Sequence, residues 1–211
     1  MLRPWAGAPL LHPALIRTAV YAGSLQRPAH RRLDYHRTQH PCRTMKLPTD
    51  LIQNLNEQLN RELFAQYQYL VMASYFLERE MPGFGQFFLK QSREEGEHAM
   101  RLFHYLMEKG APFQPLPLEI PLKNFENPLA CFEKAYEYEQ KVTLSYYNLL
   151  KKARDLGEYD AEEFLLWYIR EQREEEALMQ YWVARLSQAG DSAAALLLLD
   201  KEAGQAAKKG D

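Results

Sequence analysis

Cysteine is nearly absent from this chain of 211 residues, which contains only Cys42 and Cys131. Two distant cysteines exclude a disulfide framework and a CxxC metal or redox motif, and they fit a reducing compartment. Long apolar runs are missing too, because the longest one, residues 193–199, is far too short to cross a bilayer. The start of the chain has no clean apolar segment of a secretory signal. We therefore expect a cytoplasmic protein without a membrane anchor.

Basic charge is scarce outside the first 44 residues. This N-terminal region contains seven Arg, no Lys and a single acid, Asp34. Residues 45–211 are left with 19 basic and 27 acidic side chains, a net charge of −8. An acidic body argues against non-specific nucleic-acid binding and favours the attraction of cations.

The N-terminal region allows three interpretations. It is Arg-rich, Pro-rich and weakly periodic, as in a disordered tail, an organellar transit peptide or spurious sequence upstream of a start at Met45. The organised pattern begins abruptly after Met45, which favours the tail or the spurious start, whereas a transit peptide would direct the protein to an organelle. We divide the chain into an extension, residues 1–44, and one folded domain, residues 45–211.

Strand-type alternation is also lacking, and helical signals fill the folded domain. The pattern predicts an all-α fold, with Thr49 or Asp50 as the N-cap of the first helix. Asn127, followed by a proline, is expected to cap the third. Helices are predicted at about residues 50–80, 84–109, 128–155, 160–189 and 192–203.

The lengths of the connections predict how the helices are arranged. Short links near residues 81–83 and 156–159 make helices one and two antiparallel, and likewise helices three and four. Residues 111–126 contain four prolines and reach on the order of 50 Å when extended, whereas a helix of about 26 residues is roughly 40 Å long. This link can run the length of the bundle and leave helices two and three parallel. We predict a four-helix bundle with one long crossover loop and a short C-terminal fifth helix.

Each long helix has an apolar face that is interrupted by a carboxylate near its middle. The faces follow the i, i+3, i+7 spacing that stacks side chains on one side of a helix. Because the chain reverses within each helix pair, the interruptions fall at similar height in the bundle. They are Glu62 on the first helix, Glu95 with His98 on the second, Glu139 on the third, and Glu175 with Gln172 on the fourth.

Four carboxylates at one level of a bundle require neutralisation, because burial and mutual repulsion both penalise their charges. No Lys or Arg lies on the four faces, so the carboxyl groups are either protonated or bound to a multivalent cation. Oxygen ligands with one imidazole suit iron or manganese. Di-iron bundles use a closely related pattern, a Glu from each of two helices and Glu-x-x-His from the other two. A buried ion pair is the competing interpretation of Glu95 and His98, and four coincident interruptions favour the metal centre.

Residues 45–203 resemble the non-haem ferritins of bacteria across all five helices. The resemblance implies a ferritin subunit that oxidises Fe(II) with dioxygen and stores ferric mineral inside a homo-oligomeric shell of 24 subunits, without haem. It also implies that the Leu-rich stretch at residues 195–200 belongs to a fifth helix lining a four-fold channel. The matching stretches are LNEQLNRELFAQYQYL, REEGEHAMRLFHYL, YEYEQKVT and FLLWYIREQREEEALM.

The same resemblance implies a di-iron centre within the subunit. Glu62, Glu95 and His98 would hold one iron. Glu95 would bridge to a second iron near Glu139 and Glu175.

Further residues acquire roles through the resemblance alone. Gln172 and Tyr69 would stand beside the di-iron centre. A third iron would bind Glu94, Glu171 and Glu174, with Glu175 shared. Spacing alone is equally compatible with a solvated acidic helix face for these three glutamates. For Tyr69 the ordinary interpretation of the spacing is a core or boundary position.

Departures from related families narrow the assignment. Bacterioferritins have Glu-x-x-His on the fourth helix, where this chain has Glu175 at the histidine position, and their haem-ligating methionine would fall at Gly96. Rubrerythrins carry a CxxC-rich module that is lacking here.

Three other functions compete with the ferritin interpretation. A DNA-protecting mini-ferritin would use the basic N-terminal region, but its iron sites lie between subunits and its shell lacks a fifth helix. A storage shell without an oxidation centre, like ferritin light chains, would lack several of the ligands that this chain has. A di-iron oxygenase would need an apolar substrate pocket.

Overall fold

The computed structural model describes residues 46–208, so the predicted N-terminal extension lies outside the described residues. Within this range the chain forms five helices and no strand, which confirms the predicted all-α class. No helix of this range is long and apolar enough to cross a bilayer. The helices are α1 (Thr49–Leu77), α2 (Pro82–Glu108), α3 (Pro128–Asp155), α4 (Tyr159–Ala189) and α5 (Ala193–Lys208).

The two predicted helix caps have different outcomes. Asn127 caps α3 as predicted, because its side chain accepts a hydrogen bond from the Ala130 N–H at 2.8 Å. The prediction for α1 is wrong, because the helix already includes Thr49 and Asp50 and its N-cap is Pro48. The Pro48 carbonyl accepts the first two amide hydrogen bonds of the helix and turns the chain one residue earlier.

The end of α1 also differs from the prediction. The helix stops at Leu77 rather than Glu80, since Glu80 has a left-handed φ of 56°. The Met81 N–H then donates to the Phe76 carbonyl at 3.1 Å, a closing bond typical of helix C-termini. The short link that follows reverses the chain into α2.

Contacts between the helices show their directions. Residues near the start of α1 meet residues near the end of α3, and the same inversion relates α2 and α4. Helices α2 and α3 are therefore parallel, as the long crossover predicts. The contacting pairs are Asp50 with Lys152 and Phe76 with Phe132 for α1 and α3, and Lys109 with Asp160 and Phe84 with Trp182 for α2 and α4.

The crossover, residues 109–127, is fastened along α1 by buried side-chain amides. The Asn60 amide donates to the Gln114 carbonyl and accepts from the Leu116 N–H, both at 2.9 Å. The Asn56 and Gln68 side-chain amides each likewise donate one hydrogen bond to the crossover backbone and accept another from it. These amides replace the backbone partners that an extended segment lacks outside a sheet.

Helix α5 packs across the beginning of α2. The Asp200 carboxylate accepts a hydrogen bond from the Phe84 N–H at 2.8 Å, which caps α2 from another helix, because Met81 at the N-cap provides no side-chain bond. The approach requires Gly83, where a Cβ would lie 1.7 Å from the Asp200 carbonyl oxygen. Gly204 of α5 also lies close to Gly83, because a Cβ at Gly204 would lie 3.1 Å from the Gly83 Cα atom.

The buried core consists of two halves with a polar layer between them. One half, the aromatic half, lies towards α5, and the other, the aliphatic half, lies at the opposite end of the bundle. The aromatic half includes Phe76, Phe84, Phe88, Phe132 and Trp182, and the aliphatic half includes Leu51, Leu55, Leu59, Leu102 and Leu165.

Candidate metal centre

The polar layer gathers the residues that interrupt the apolar helix faces. Seven of the predicted site residues are buried there, all exposed by less than a tenth of their surface. They come from all four long helices of one chain. They are Glu62, Tyr69, Glu95, His98, Glu139, Gln172 and Glu175.

Three of these side chains present atoms suited to a single metal ion. One ligand atom each from Glu62, Glu95 and His98 lies within 4.8 Å of the other two. The His98 Nδ1 atom is 3.4 Å from Glu95 Oε2 and 3.9 Å from Glu62 Oε2. Three buried atoms, Glu62 Oε2, Glu95 Oε1 and His98 Nδ1, have no hydrogen-bond partner within the described residues. Unpartnered buried carboxylate and imidazole atoms are a donor set that fits a transition-metal ion.

The Glu62 carboxylate is oriented by neutral donors. The Gln58 amide and the Tyr146 hydroxyl both donate to Glu62 Oε1, at 2.7 Å and 2.6 Å. Gln58 is fixed in turn by the Ser145 hydroxyl, which donates to its Oε1 atom. Because both donors occupy one carboxylate oxygen, the other oxygen is left facing His98.

Glu139 and Glu175 are held in the same manner. The Tyr69 hydroxyl donates to one oxygen of Glu139, and the Gln172 amide donates to the other at 2.9 Å. The Gln91 amide donates to Glu175 Oε2 at 3.1 Å. These donors are uncharged, so they fix the carboxylates without cancelling their charge.

The layer shifts the protonation of its carboxyl groups. Burial, followed by the charges of Glu139 and Glu62, raises the pKa of Glu95 well above its usual range. Burial and the nearby Glu139 do the same to the pKa of Glu175. Burial raises the pKa of Glu139 to about 7, although hydrogen bonds from its two donors act in the opposite direction. A cation would compete with the bound protons, because metal ligands must be deprotonated.

A cleft of about 270 Å³ lies beside the layer. Glu94 and Glu171, predicted for a third iron, line it together with His98 and Glu175. Glu174 is exposed and is not among its lining residues. A larger groove of about 490 Å³ between α1 and α3 contains none of the buried carboxylates, so it lies away from the candidate chemistry.

Sequence reasoning missed the residues that hold the carboxylates in place. Gln58, Gln91 and Tyr146 were not predicted as site residues, although each donates to a buried carboxylate. Gln58 lies four residues before Glu62, and an amide one turn from a buried acid is a signal that could have identified it. Gln91 and Tyr146 reach carboxylates on other helices, which no spacing along the chain reveals.

Comparisons with known proteins agree with this architecture. The ferritin-like domain family model matches residues 52–189. The bacterial non-haem ferritin of Staphylococcus aureus is 35% identical over 158 residues, which cover 75% of this chain and 95% of the relative. That of Campylobacter jejuni is 36% identical over 155 residues, covering 74% of this chain and 93% of the relative.

Solved structures give the same result. An open-pore ferritin from the hyperthermophilic archaeon Archaeoglobus fulgidus is 37% identical, with a TM-score of 0.74, and the match covers 75% of this chain and 98% of that one. An engineered closed form of the same ferritin also has a TM-score of 0.74, at 38% identity. These matches confirm the resemblance inferred from the sequence: the chain belongs to the ferritin family and is similar to bacterial non-haem ferritins.

Proposed function

We propose that this chain is a ferritin subunit that oxidises Fe(II) with dioxygen at a di-iron centre within the subunit and stores iron as ferric mineral inside a protein shell. Membership of the ferritin family supports iron storage. The observation that carries the site assignment is the buried group Glu62, Glu95 and His98, which brings three ligand atoms within 4.8 Å of one another and leaves one polar atom of each residue without a partner among the described residues. Burying such atoms without a partner is costly, and a bound cation removes that cost.

We assign the residues to two iron ions. Glu62, Glu95 and His98 would hold the first, and Glu95 would share the second with Glu139 and Glu175. Each Fe(II) gives up one electron to dioxygen, and the protein contributes a fixed, oxygen-rich ligand set that favours the ferric product.

The surrounding residues would orient the ligands and admit the substrate. Gln172 and Tyr69 hold Glu139, and their donors keep its carboxylate in one orientation as the iron changes charge. The cleft lined by Glu94 and Glu171 is acidic and would attract Fe(II) towards the centre. We propose that a third iron binds there, with Glu174 and Glu175 as the remaining ligands.

Charge in the cleft and the origin of the ligands argue against the rival functions. A di-iron oxygenase for an apolar substrate would need an apolar pocket, whereas this cleft is lined by Glu94, Glu97, Arg101 and Glu171. A mini-ferritin site would take ligands from two subunits, whereas the buried group here comes from helices of a single chain.

Replacing Glu95 or His98 tests the proposal. We expect Glu95→Ala and His98→Ala to abolish fast aerobic Fe(II) oxidation, measured by stopped-flow absorbance and oxygen uptake. Helix content and native mass should be unchanged, because neither residue belongs to the apolar halves of the core. His98 contributes only edge contacts with Trp167 and Tyr168. Glu108→Ala, an exposed carboxylate on the same helix, is the matched control. Wild-type oxidation rates in both site variants would reject the assignment.

A further inference from the structure

Thr143 is a buried hydroxyl of the polar layer that the proposed centre does not yet use. Its side chain is 6% exposed, and Thr143 Oγ1 has no hydrogen-bond partner within the described residues. It lies on the face of α3 between Glu139, one turn before it, and Tyr146, one turn after it. Both neighbours make hydrogen bonds within the layer, to Gln172 and to Glu62. The hydroxyl is therefore at the height of the candidate centre and shielded from bulk water.

The lack of a partner is unusual for threonine in a helix. A helical threonine commonly bonds the carbonyl oxygen of the residue four positions earlier. For Thr143 that carbonyl belongs to Glu139, and it faces the Gln172 amide at 3.5 Å instead. An unpaired buried hydroxyl costs free energy, so its presence beside the candidate centre favours a partner that the side chains do not provide.

The other unpartnered atoms show what that partner is. Besides Thr143 Oγ1, seven buried side-chain atoms of the described residues have no partner, and four of them belong to Glu62, Glu95, His98 and Gln172 of this layer. A fifth belongs to Gln91, whose amide donates to Glu175. Carboxylate and imidazole atoms can be satisfied by a metal ion directly. A hydroxyl is a hydrogen-bond donor and needs an acceptor. A metal that enters this layer with open coordination positions carries such an acceptor as an oxygen ligand.

We propose that Thr143 is placed to donate a hydrogen bond to the water or other non-protein oxygen ligand that a metal held by this layer would carry. Thr143 is thus a positioning residue that fixes where this ligand sits. The inference rests on the proposed function, since it requires a metal at the centre. It predicts that the Thr143 hydroxyl destabilises the metal-free protein and stabilises the metal-bound protein.

The test compares Thr143→Val with the wild type in both states, using Zn²⁺ as a redox-inert probe. Valine keeps the shape and removes the hydroxyl, so we expect the metal-free variant to melt at a higher temperature than the wild type. We expect the rise in melting temperature on Zn²⁺ binding to be smaller than in the wild type. Aerobic Fe(II) oxidation should slow about tenfold, the effect typical of lost contacts to metal-bound groups. Thr143→Ser should restore both the Zn²⁺ effect and the rate.

Tyr105→Phe is the matched control. It also removes a buried hydroxyl without a partner, but Tyr105 lies in the aliphatic half, away from the polar layer. We expect it to leave the Zn²⁺ effect and the oxidation rate at wild-type values. Equal Zn²⁺ effects and equal rates in Thr143→Val and the wild type would overturn the role of Thr143 and leave the proposed centre intact. A wild type that neither responds to Zn²⁺ nor oxidises Fe(II) would overturn both.

Discussion

At the scale of single residues, the polar layer holds its carboxylates with neutral donors. A Lys or Arg beside Glu62 or Glu139 would lower the pKa of the carboxyl group and occupy the oxygens that a metal needs. Amide and phenol donors orient the same oxygens and leave the negative charge available. The layer is consequently unstable when ionised and empty of cations, and this instability can be measured.

The metal-free protein should lose stability as the pH rises from 5 to 8. The pKa of Glu139 is raised from an ordinary 4.5 to about 7, and those of Glu95 and Glu175 are raised as well. A raised carboxyl pKa stabilises the folded state at low pH. This contribution is lost as the pH rises through the pKa of the group in the folded state. For Glu139 alone it is on the order of 3 kcal/mol, which corresponds to several degrees in melting temperature.

Calorimetry of the metal-free protein at several pH values measures this slope. We expect Glu139→Gln to flatten it, because the amide does not titrate. Glu137→Gln on the same helix should leave the slope unchanged, because Lys134 and Lys141 lower the pKa of Glu137 to about 2. A slope that is identical in the wild type and Glu139→Gln would contradict the assignment of the titration to this layer.

Sequence periodicity could identify the proposed ligands but not the residues that hold them in place. A carboxylate on an apolar helix face is visible in the spacing, so the spacing alone is enough to select Glu62, Glu95, Glu139 and Glu175. The Tyr146 hydroxyl meets Glu62 across two helices, and that contact depends on the rotation of α3 about its own axis. The spacing of residues along the sequence does not fix this rotation more finely than the angle between neighbouring residues.

At the scale of the elements, the crossover depends on side chains of α1 more than on its own sequence. Its prolines predict an extended chain of sufficient length, and the structure confirms the parallel arrangement of α2 and α3 that this length allows. The docking by Asn56, Asn60 and Gln68 was not predicted, because a polar residue on a helix normally indicates a solvated face. The cap that Asp200 provides to α2 was not predicted either, because Asp200 and Phe84, whose N–H donates to it, are 116 positions apart in the sequence.

Asn60→Leu tests the role of these amides. Leucine is of similar size but leaves the Gln114 carbonyl and the Leu116 N–H without their partner. We expect a loss of about 1–3 kcal/mol in the free energy of unfolding, seen as a melting temperature lowered by several degrees, and faster proteolysis within residues 109–127.

Asn148→Leu, an exposed asparagine on α3, is the control for the loss of an amide as such. If both variants melted alike, the crossover would not depend on the Asn60 contacts.

At the scale of the whole molecule, the outer side of the crossover is unusually apolar. Leu116, Leu118, Ile120 and Leu122 alternate along it and are all exposed, Ile120 by 93%. Leu197 and Leu198 are exposed on α5 as well. A monomer would present these side chains to water, so they favour the homo-oligomeric shell that we propose.

Ile120→Asp should disrupt this assembly. A carboxylate placed in an apolar subunit contact must be desolvated without a partner, so we expect native mass spectrometry to show a shift from the large assembly to small oligomers. The fold should persist, because Ile120 makes no contribution to the buried core. Glu119→Ala, its neighbour on the same segment, should assemble normally. An Ile120→Asp protein with wild-type mass would exclude this row of side chains from the subunit contacts.

The division of the core into an aromatic and an aliphatic half also bears on how the sequence can change. Substitutions in one half repack against neighbours on the same side of the polar layer, and distant sites add nearly independently in their effects on stability. The two ends of the bundle can therefore diverge separately in sequence. Substitutions in the polar layer are more restricted, because this layer contacts both halves of the core. Relatives that have remodelled one end while preserving the other are the evolutionary trace this architecture should leave.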